Sequence, residues 1–256
     1  MMIQSTDTRL ERSVVIPAYN EAARIAPYLA SVRDYADRKW PRAYEVIVVD
    51  DGSTDGTYEL LTSLAADWPE LQPLRHEVNQ GKGAAVRTGM LAAGGELLLM
   101  ADADGATPID QEARLADAIA EATVNVEGQR NGADLAIGSR LVRDPAVRRR
   151  RAWFRAVSGR LFAMVARSAL GLAIHDTQCG FKIFRHNVAV DLFTECQESG
   201  FLFDLEVLAR AQRRGYRIAE VPINWSEIPG GHLGIVRQLP AIITGLWRLR
   251  RRMTQW

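Results

Sequence analysis

Glu45-Val46-Ile47-Val48-Val49-Asp50-Asp51-Gly52 reads as a buried strand that ends in a polar turn. Four consecutive β-branched residues leave no polar face, so both sides of this strand are expected to be covered. The same pattern recurs on either side of it. Ser13-Val14-Val15-Ile16-Pro17 runs into Ala18-Tyr19-Asn20-Glu21, and Glu96-Leu97-Leu98-Leu99-Met100-Ala101 runs into Asp102-Ala103-Asp104. Leu135-Ala136-Ile137-Gly138 runs into Ser139-Arg140, and Leu71 to Glu77 forms a weaker strand. Helical segments fall between: about Glu21 to Ala36, a helix capped by Ser53 or Asp55 and reaching Trp68, Gly81 to Ala93, and Asp110 to Val124. This alternation predicts an α/β fold with a mostly parallel central sheet and helices on both faces. Ligands bind such sheets beyond the carboxyl ends of the strands. Four polar clusters fall at those ends and converge on one rim.

The chain of 256 residues suffices for one large domain, and 47% hydrophobic residues supply its core. A formal net charge of +1 gives no basic footprint for nucleic acid, so no nucleic-acid partner is expected. Lys39, Lys82 and Lys182 are the lysines; the rest of the 32 basic residues are arginine. Cys179 and Cys196 form no CxxC, which fits a reducing compartment. Residues 1–12 read as a polar tail, 13–227 as the main domain and 228–256 as a basic amphipathic C-terminal segment. The uncharged run Gln238–Trp247 contains Pro240 and is far shorter than the about 20 residues a membrane-spanning helix needs.

Asp102 and Asp104 stand two apart just past a strand end, a placement suited to a hard divalent cation shared with substrate phosphates. Mg²⁺ or Mn²⁺ there would neutralise charge on a departing diphosphate. Two turn or cap aspartates are the plain alternative. Asp50 and Asp51 offer acceptors for a nucleobase N–H or ribose hydroxyl. Gly81-Lys82-Gly83 opens a helix, where free N–H groups and the Lys82 charge suit a phosphate. It is not a P-loop, because Gly83 follows the lysine and His76 stands where that motif has its first glycine. His76, His175, His186 and His232 show no metal-ligand spacing and are read as structural.

VVIPAYNE, VIVVDDGSTDGT, NQGKGAAVRTGM, LLLMADADGATP and IGSR together resemble the family 2 glycosyltransferases of GT-A fold. DTQCGFKIF (176–184), FLFDLEVLARAQRRGYRIAEVPINW (201–225) and the following EIPGG are similar to the dolichyl-phosphate glucosyltransferases within that family. The resemblance runs from about Ser13 to Arg252. It implies a UDP-sugar donor, UDP-glucose above all, a divalent cation (Mg or Mn) and a polyprenyl phosphate acceptor. Carried over by motif, Pro17, Tyr19, Glu21 and Asp50 or Asp51 hold the nucleoside, and Asp102 and Asp104 serve the metal and the donor diphosphate. Arg140 faces the acceptor phosphate or the donor diphosphate, and Asp176 sits near the reacting sugar. Two features depart from these relatives. Gly230-Gly231-His232-Leu233 stands where they often carry Ser-Lys after the glycine, and the N-terminal membrane segment of the eukaryotic enzymes is not seen.

A surface route to a bilayer is expected instead. Between Asp144 and Asp176 there is no acidic residue but seven arginines (148, 149, 150, 151, 155, 160 and 167) around Trp153, Phe154, Val157, Leu161, Phe162 and Val165. Beyond Glu227 no acid remains, and Arg237, Arg248, Arg250, Arg251 and Arg252 accompany Leu246, Trp247 and Leu249. Both stretches read as basic amphipathic helices able to lie on an anionic membrane surface. That predicts a cytoplasmic protein peripherally associated with the inner face of a membrane. The plain alternative is helices that cover the sheet, with their arginines solvated or in an oligomer contact. Arg155 and Ser158, three apart on one helix face, are the candidate acceptor-phosphate ligands alongside Arg140.

A phosphate acceptor is already largely ionised at neutral pH and needs no strong base. A hydroxyl acceptor would need one, with Asp176 or Asp204 as the candidates. Asp204 and Glu206 lie two apart on a helix, so one of them is expected to be an ordinary exposed charge. Two readings stay beside the main one: a family 2 transferase using GDP-mannose or a soluble hydroxyl acceptor, and a non-catalytic, membrane-associated nucleotide-sugar binder.

Overall fold

The computed structural model describes residues 10–120, 132–142, 144–150, 164, 166–228 and 235–254. The expected strands form as β1 (Arg12–Ala18), β2 (Tyr44–Asp51), β3 (Leu71–His76), β4 (Leu97–Ala101) and β5 (Leu135–Ser139). Two-residue β6 (Arg149–Arg150) pairs with β9 (Trp225–Ser226), while β7 (Phe181–Arg185) and β8 (Ile218–Pro222) join the main sheet. That sheet has seven strands in the order β3-β2-β1-β4-β7-β5-β8. All run parallel except β7, which is antiparallel to both β4 and β5. The single reversal has a functional consequence. It brings the loop that leads into β7 to the same rim as the carboxyl ends of β1, β2, β4 and β5.

The helices of the described fold include α1 (Ile25–Lys39), α2 (Thr57–Ala66), α3 (Lys82–Ala92), α4 (Glu112–Ala120), α5 (His186–Glu195), α6 (Phe203–Arg213) and α7 (Ile235–Met253). Side chains alternate along each strand, so the sheet feeds two apolar layers. Val14, Ile16, Val46, Val48 and Leu99 pack with Ile25 and Leu29 of α1 and with Leu115 and Ile119 of α4. Val15, Ile47, Val49, Leu98 and Met100 pack with Val86 and Met90 of α3, Leu192 of α5 and Leu205 and Leu208 of α6. Of the two candidate caps of α2, Asp55 accepts the Thr57 N–H at 3.1 Å. The Ser53 hydroxyl instead accepts the Asn20 N–H at 2.8 Å and ties the β1–α1 turn to the β2–α2 turn. Cys179 and Cys196 are free and buried, and burial pushes both thiols up, Cys179 to about 12.

The C-terminal segment belongs to this core in its described part. Leu246, Leu249 and Met253 of α7 are buried in the same apolar layer as α3, α5 and α6, and Arg252 pairs with Glu198 at 3.1 Å. The opposite face of α7 presents Trp247, 61% exposed, with Arg248, Arg250 and Arg251. No helix among the described residues is long and apolar enough to cross a membrane. Truncating Leu249, which is fully buried, leaves a cavity, so Leu249→Ala is expected to lower unfolding free energy by about 2–5 kcal/mol. Urea unfolding measures this; a loss of only a few tenths would mean that α7 does not pack on the core.

Candidate active site

The β2 carboxyl end divides its two acids between different tasks. Asp51 is the organiser of the glycine-lysine loop: it accepts the N–H groups of Gln80 and Gly81 at 2.9 and 2.8 Å, and His76 Nδ1 lies 2.8 Å away. His76 is held in turn by Thr88 at 3.0 Å, in line with a structural role. Asp50 is completely buried, yet neither of its oxygens accepts a hydrogen bond from a described residue. Its nearest countercharge is Arg75, 3.5 Å away, whose guanidinium lies 4.7 Å over the Tyr58 ring. A buried carboxylate with an ion-pair partner but no hydrogen bond is costly unless a ligand donates to it. Nothing in the sequence pattern singled out Arg75, because its strand is short and weakly apolar.

Pro17 is buried near the end of β1, and Tyr19 beyond it is half exposed on the rim. The Glu21 carboxylate is taken by Arg24, with Nη2 to Oε1 at 2.6 Å, while the Glu21 N–H donates to Thr57 Oγ1 at 2.9 Å. These turns therefore form a tied edge beside Asp50.

Past β4, Lys82 and Asp102 form a 2.5 Å ion pair. Burial works against the Lys82 charge, but the carboxylates of Asp102, Asp204 and Asp104 outweigh it and hold its pKa above the usual value. Asp104 accepts the Ala106 N–H at 2.9 Å. Burial, together with the neighbouring Asp102 charge, pushes its carboxyl above the ordinary range. Among the described residues no three His, Cys, Asp or Glu side chains converge as a closed metal cage. Two adjacent acids with open coordination suit Mg²⁺ or Mn²⁺, which commonly take one or two carboxylates and fill the remaining positions with phosphates and water. The loop before β7 packs directly on this pair, and a Cβ at Gly180 would fall onto the Asp102 carboxylate. Gly180→Ala is accordingly expected to cut turnover by more than about 100-fold through a misplaced Asp102. Steady-state rates, with a thermal melt beside them, check this.

Arg140 and Asp176 are joined in a fork. Nε and Nη2 of Arg140 each reach an Asp176 oxygen at 2.8 Å, and the Arg140 N–H adds a third bond of 2.8 Å. Burial would raise the Asp176 pKa, but the Arg140 charge and these hydrogen bonds prevail and hold it below the usual carboxylate range. The guanidinium also lies 5.6 Å over Trp225. Behind the fork stands Glu220 of β8, which sequence reasoning missed. It accepts the His175 and Asp176 N–H groups, both at 2.9 Å, and the Ser139 hydroxyl at 2.7 Å. His175 thus serves as a partner of Glu220, and His186 Nδ1 donates to the Gly95 carbonyl oxygen at 3.0 Å.

The expectation that Asp204 or Glu206 is an exposed charge is corrected: both are buried. Asp204 pairs with Lys182 at 2.5 Å, and Glu206 with Arg210 at 2.9 Å, so the helix turns neither acid to solvent. Arg155, Ser158, His232 and most of the 148–167 basic stretch lie outside the described residues.

Comparison with known proteins identifies the family and the fold. The Glycosyl transferase family 2 model matches residues 13–193. A dolichyl-phosphate beta-glucosyltransferase of Trichomonas vaginalis is 38% identical over 251 residues, spanning 92% of this chain and 73% of that protein. The protein of the same name from Homo sapiens is 32% identical, spanning 93% of this chain and 78% of that one. Among solved structures, glucosyl-3-phosphoglycerate synthase from Mycobacterium tuberculosis, in complex with Mn²⁺ and UDP-glucose, superposes with a TM-score of 0.65 at 19% identity. That match covers 93% of this chain and 79% of the synthase, and it establishes the GT-A fold. The chain belongs to glycosyl transferase family 2, is a glycosyltransferase, and stands among relatives named dolichyl-phosphate beta-glucosyltransferase.

Proposed function

We propose that this enzyme transfers glucose, with inversion, from UDP-glucose to a polyprenyl (dolichyl-type) phosphate, assisted by a divalent cation. The observation that carries the reading is the 32–38% identity, over nearly the whole chain, to glucosyltransferases named for that acceptor. The site geometry favours a phosphate over a hydroxyl acceptor. Each carboxylate that the hydroxyl reading would use as base is already engaged, Asp176 by Arg140 and Asp204 by Lys182. An ionised phosphate oxygen attacks the anomeric carbon without such a base.

In this reading Asp50, ion-paired with Arg75 but free of hydrogen bonds from described residues, accepts from the nucleobase, with Pro17, Tyr19 and Glu21 shaping the same edge. Asp51 fixes the loop that aims Lys82 at the donor diphosphate. Asp102 and Asp104 hold Mg²⁺ or Mn²⁺, which supplies charge neutralisation for the departing diphosphate. Asp176 holds Arg140 in one orientation, and Arg140 clamps an acceptor or donor phosphate. Arg155 and Ser158 remain proposed acceptor-phosphate contacts. Trp247, Arg248, Arg250 and Arg251 on α7 seat the protein peripherally on the inner, anionic face of a membrane.

A donor panel tests this reading. UDP release from UDP-glucose should exceed GDP release from GDP-mannose when polyprenyl phosphate and Mn²⁺ or Mg²⁺ are present. Preference for GDP-mannose would overturn the donor assignment, and equal rates with a soluble hydroxyl acceptor would overturn the acceptor.

A further inference from the structure

We infer that Glu206 is a positioning residue for the Gly81-Lys82-Gly83 loop and acts through the loop of residues 196–200; this rests on Lys82 contacting the donor diphosphate. Glu206 lies on α6, is 0% exposed and takes no part in the chemistry above. A carboxylate in that position is tolerated only when its oxygens are satisfied. Its Oε2 accepts the N–H groups of Gln197 and Glu198 at 2.9 and 2.7 Å and lies 3.4 Å from the Cys196 sulfur. Its Oε1 receives the Arg210 fork at 3.1 and 2.9 Å. The 196–200 loop is thus wound around one oxygen, while the other is anchored one helical turn along α6.

That loop is the surface on which the glycine-lysine loop rests. The Ala84 N–H donates to the Ser199 carbonyl at 3.2 Å. A Cβ at Gly81, whose φ is +101°, would stand 2.5 Å from the same carbonyl oxygen. One at Gly83 would fall onto the Glu198 carbonyl oxygen and within 2.7 Å of the Phe203 Cβ. The two backbones touch with no side chain between them, so a displacement of one loop has no soft contact to absorb it. It passes to the first turn of α3, which carries Lys82 and its ion pair with Asp102. Asp51 fixes the glycine-lysine loop from the β2 side, and Glu206 fixes it from the α6 side.

Glu206→Gln removes the charge that holds the Arg210 fork, and Gly83→Ala pushes the two loops apart from the other side. Calorimetric titration with UDP at saturating Mn²⁺, well below the melting temperature, should show affinity about tenfold weaker in each variant. KM for UDP-glucose should rise in parallel, with KM for polyprenyl phosphate unchanged. The double variant should lose less than the product of the single effects, because both act on one contact. Lys82→Ala in the same titration separates the two levels. Unchanged UDP affinity in Lys82→Ala overturns both the donor contact and this inference. A loss in Lys82→Ala with wild-type affinity in folded Glu206→Gln and Gly83→Ala overturns the inference alone, leaving Glu206 a purely structural acid. If Glu206→Gln does not fold, Glu206→Asp, which keeps the charge but withdraws it from the Gln197 and Glu198 N–H groups, decides in the same titration.

Discussion

Asp104→Ala is expected to reduce turnover by about a thousandfold or more while leaving the fold nearly as stable as before. The side chain makes one hydrogen bond to a described residue, at the Ala106 N–H, so its removal costs about 1 kcal/mol of stability at most. Its weight lies elsewhere. Burial and the adjacent Asp102 charge make this carboxylate unfavourable as an isolated anion, an arrangement that a cation or positive ligand relieves. Losing preorganised electrostatic stabilisation of a leaving group costs about 10²–10³ in rate per contact, and a metal ligand reaches the upper end. Parallel measurement of kcat, the melting temperature and Mn²⁺-dependent UDP binding checks the prediction. A variant that keeps more than a tenth of wild-type turnover would remove Asp104 from the proposed metal site.

Asp176→Asn should affect stability and rate together. The substitution preserves shape but leaves the largely buried Arg140 guanidinium without its countercharge, for which breaking one partner of a buried pair costs about 3–5 kcal/mol. Turnover should fall by about 100-fold or more, since the guanidinium loses the fork that aims it. With Asp176 intact, Arg140→Lys should keep part of the stability but little of the rate, because an ammonium cannot make the planar two-point contact. The pH dependence carries a sign. The folded-state pKa of Asp176 lies below the unfolded value of about 3.9, so the pair's stabilisation is complete above that value and fades as pH falls through the folded one. Asp176→Asn should flatten that acid limb in pH-dependent unfolding. Wild-type stability with normal acid sensitivity would contradict the fork.

Much of the sheet and the rim was readable because the strands are apolar runs that stop abruptly at polar residues. Val46–Val49 followed by Asp50, and Leu97–Ala101 followed by Asp102, mark both the strand and the end at which ligands gather. β7 was hidden because Lys182 interrupts Phe181–Arg185, and a lysine ordinarily argues against a buried strand. Here it is neutralised by Asp204, 22 residues away in sequence, a pairing that local pattern cannot reveal. The same limit explains Glu206 and Glu220, whose partners lie on other loops and strands. Spacing along α6 suggested opposite faces for Asp204 and Glu206, yet the helix is surrounded by protein on both. The C-terminal segment was set apart by its charge; in its described part Leu246, Leu249 and Met253 are buried in the core while Trp247 stays exposed. Asp50 and Asp51 are indistinguishable by sequence and differ only in which of them the glycine-lysine loop satisfies.

The most direct test of the account is transfer of labelled glucose from UDP-glucose into polyprenyl phosphate by the purified enzyme with Mn²⁺, beside Asp104→Ala. A β-linked glucosyl phosphate lipid is expected to form in step with UDP release, dependent on the lipid and abolished by the substitution. UDP release that ignores the lipid, or no labelled lipid despite intact UDP binding, would contradict it.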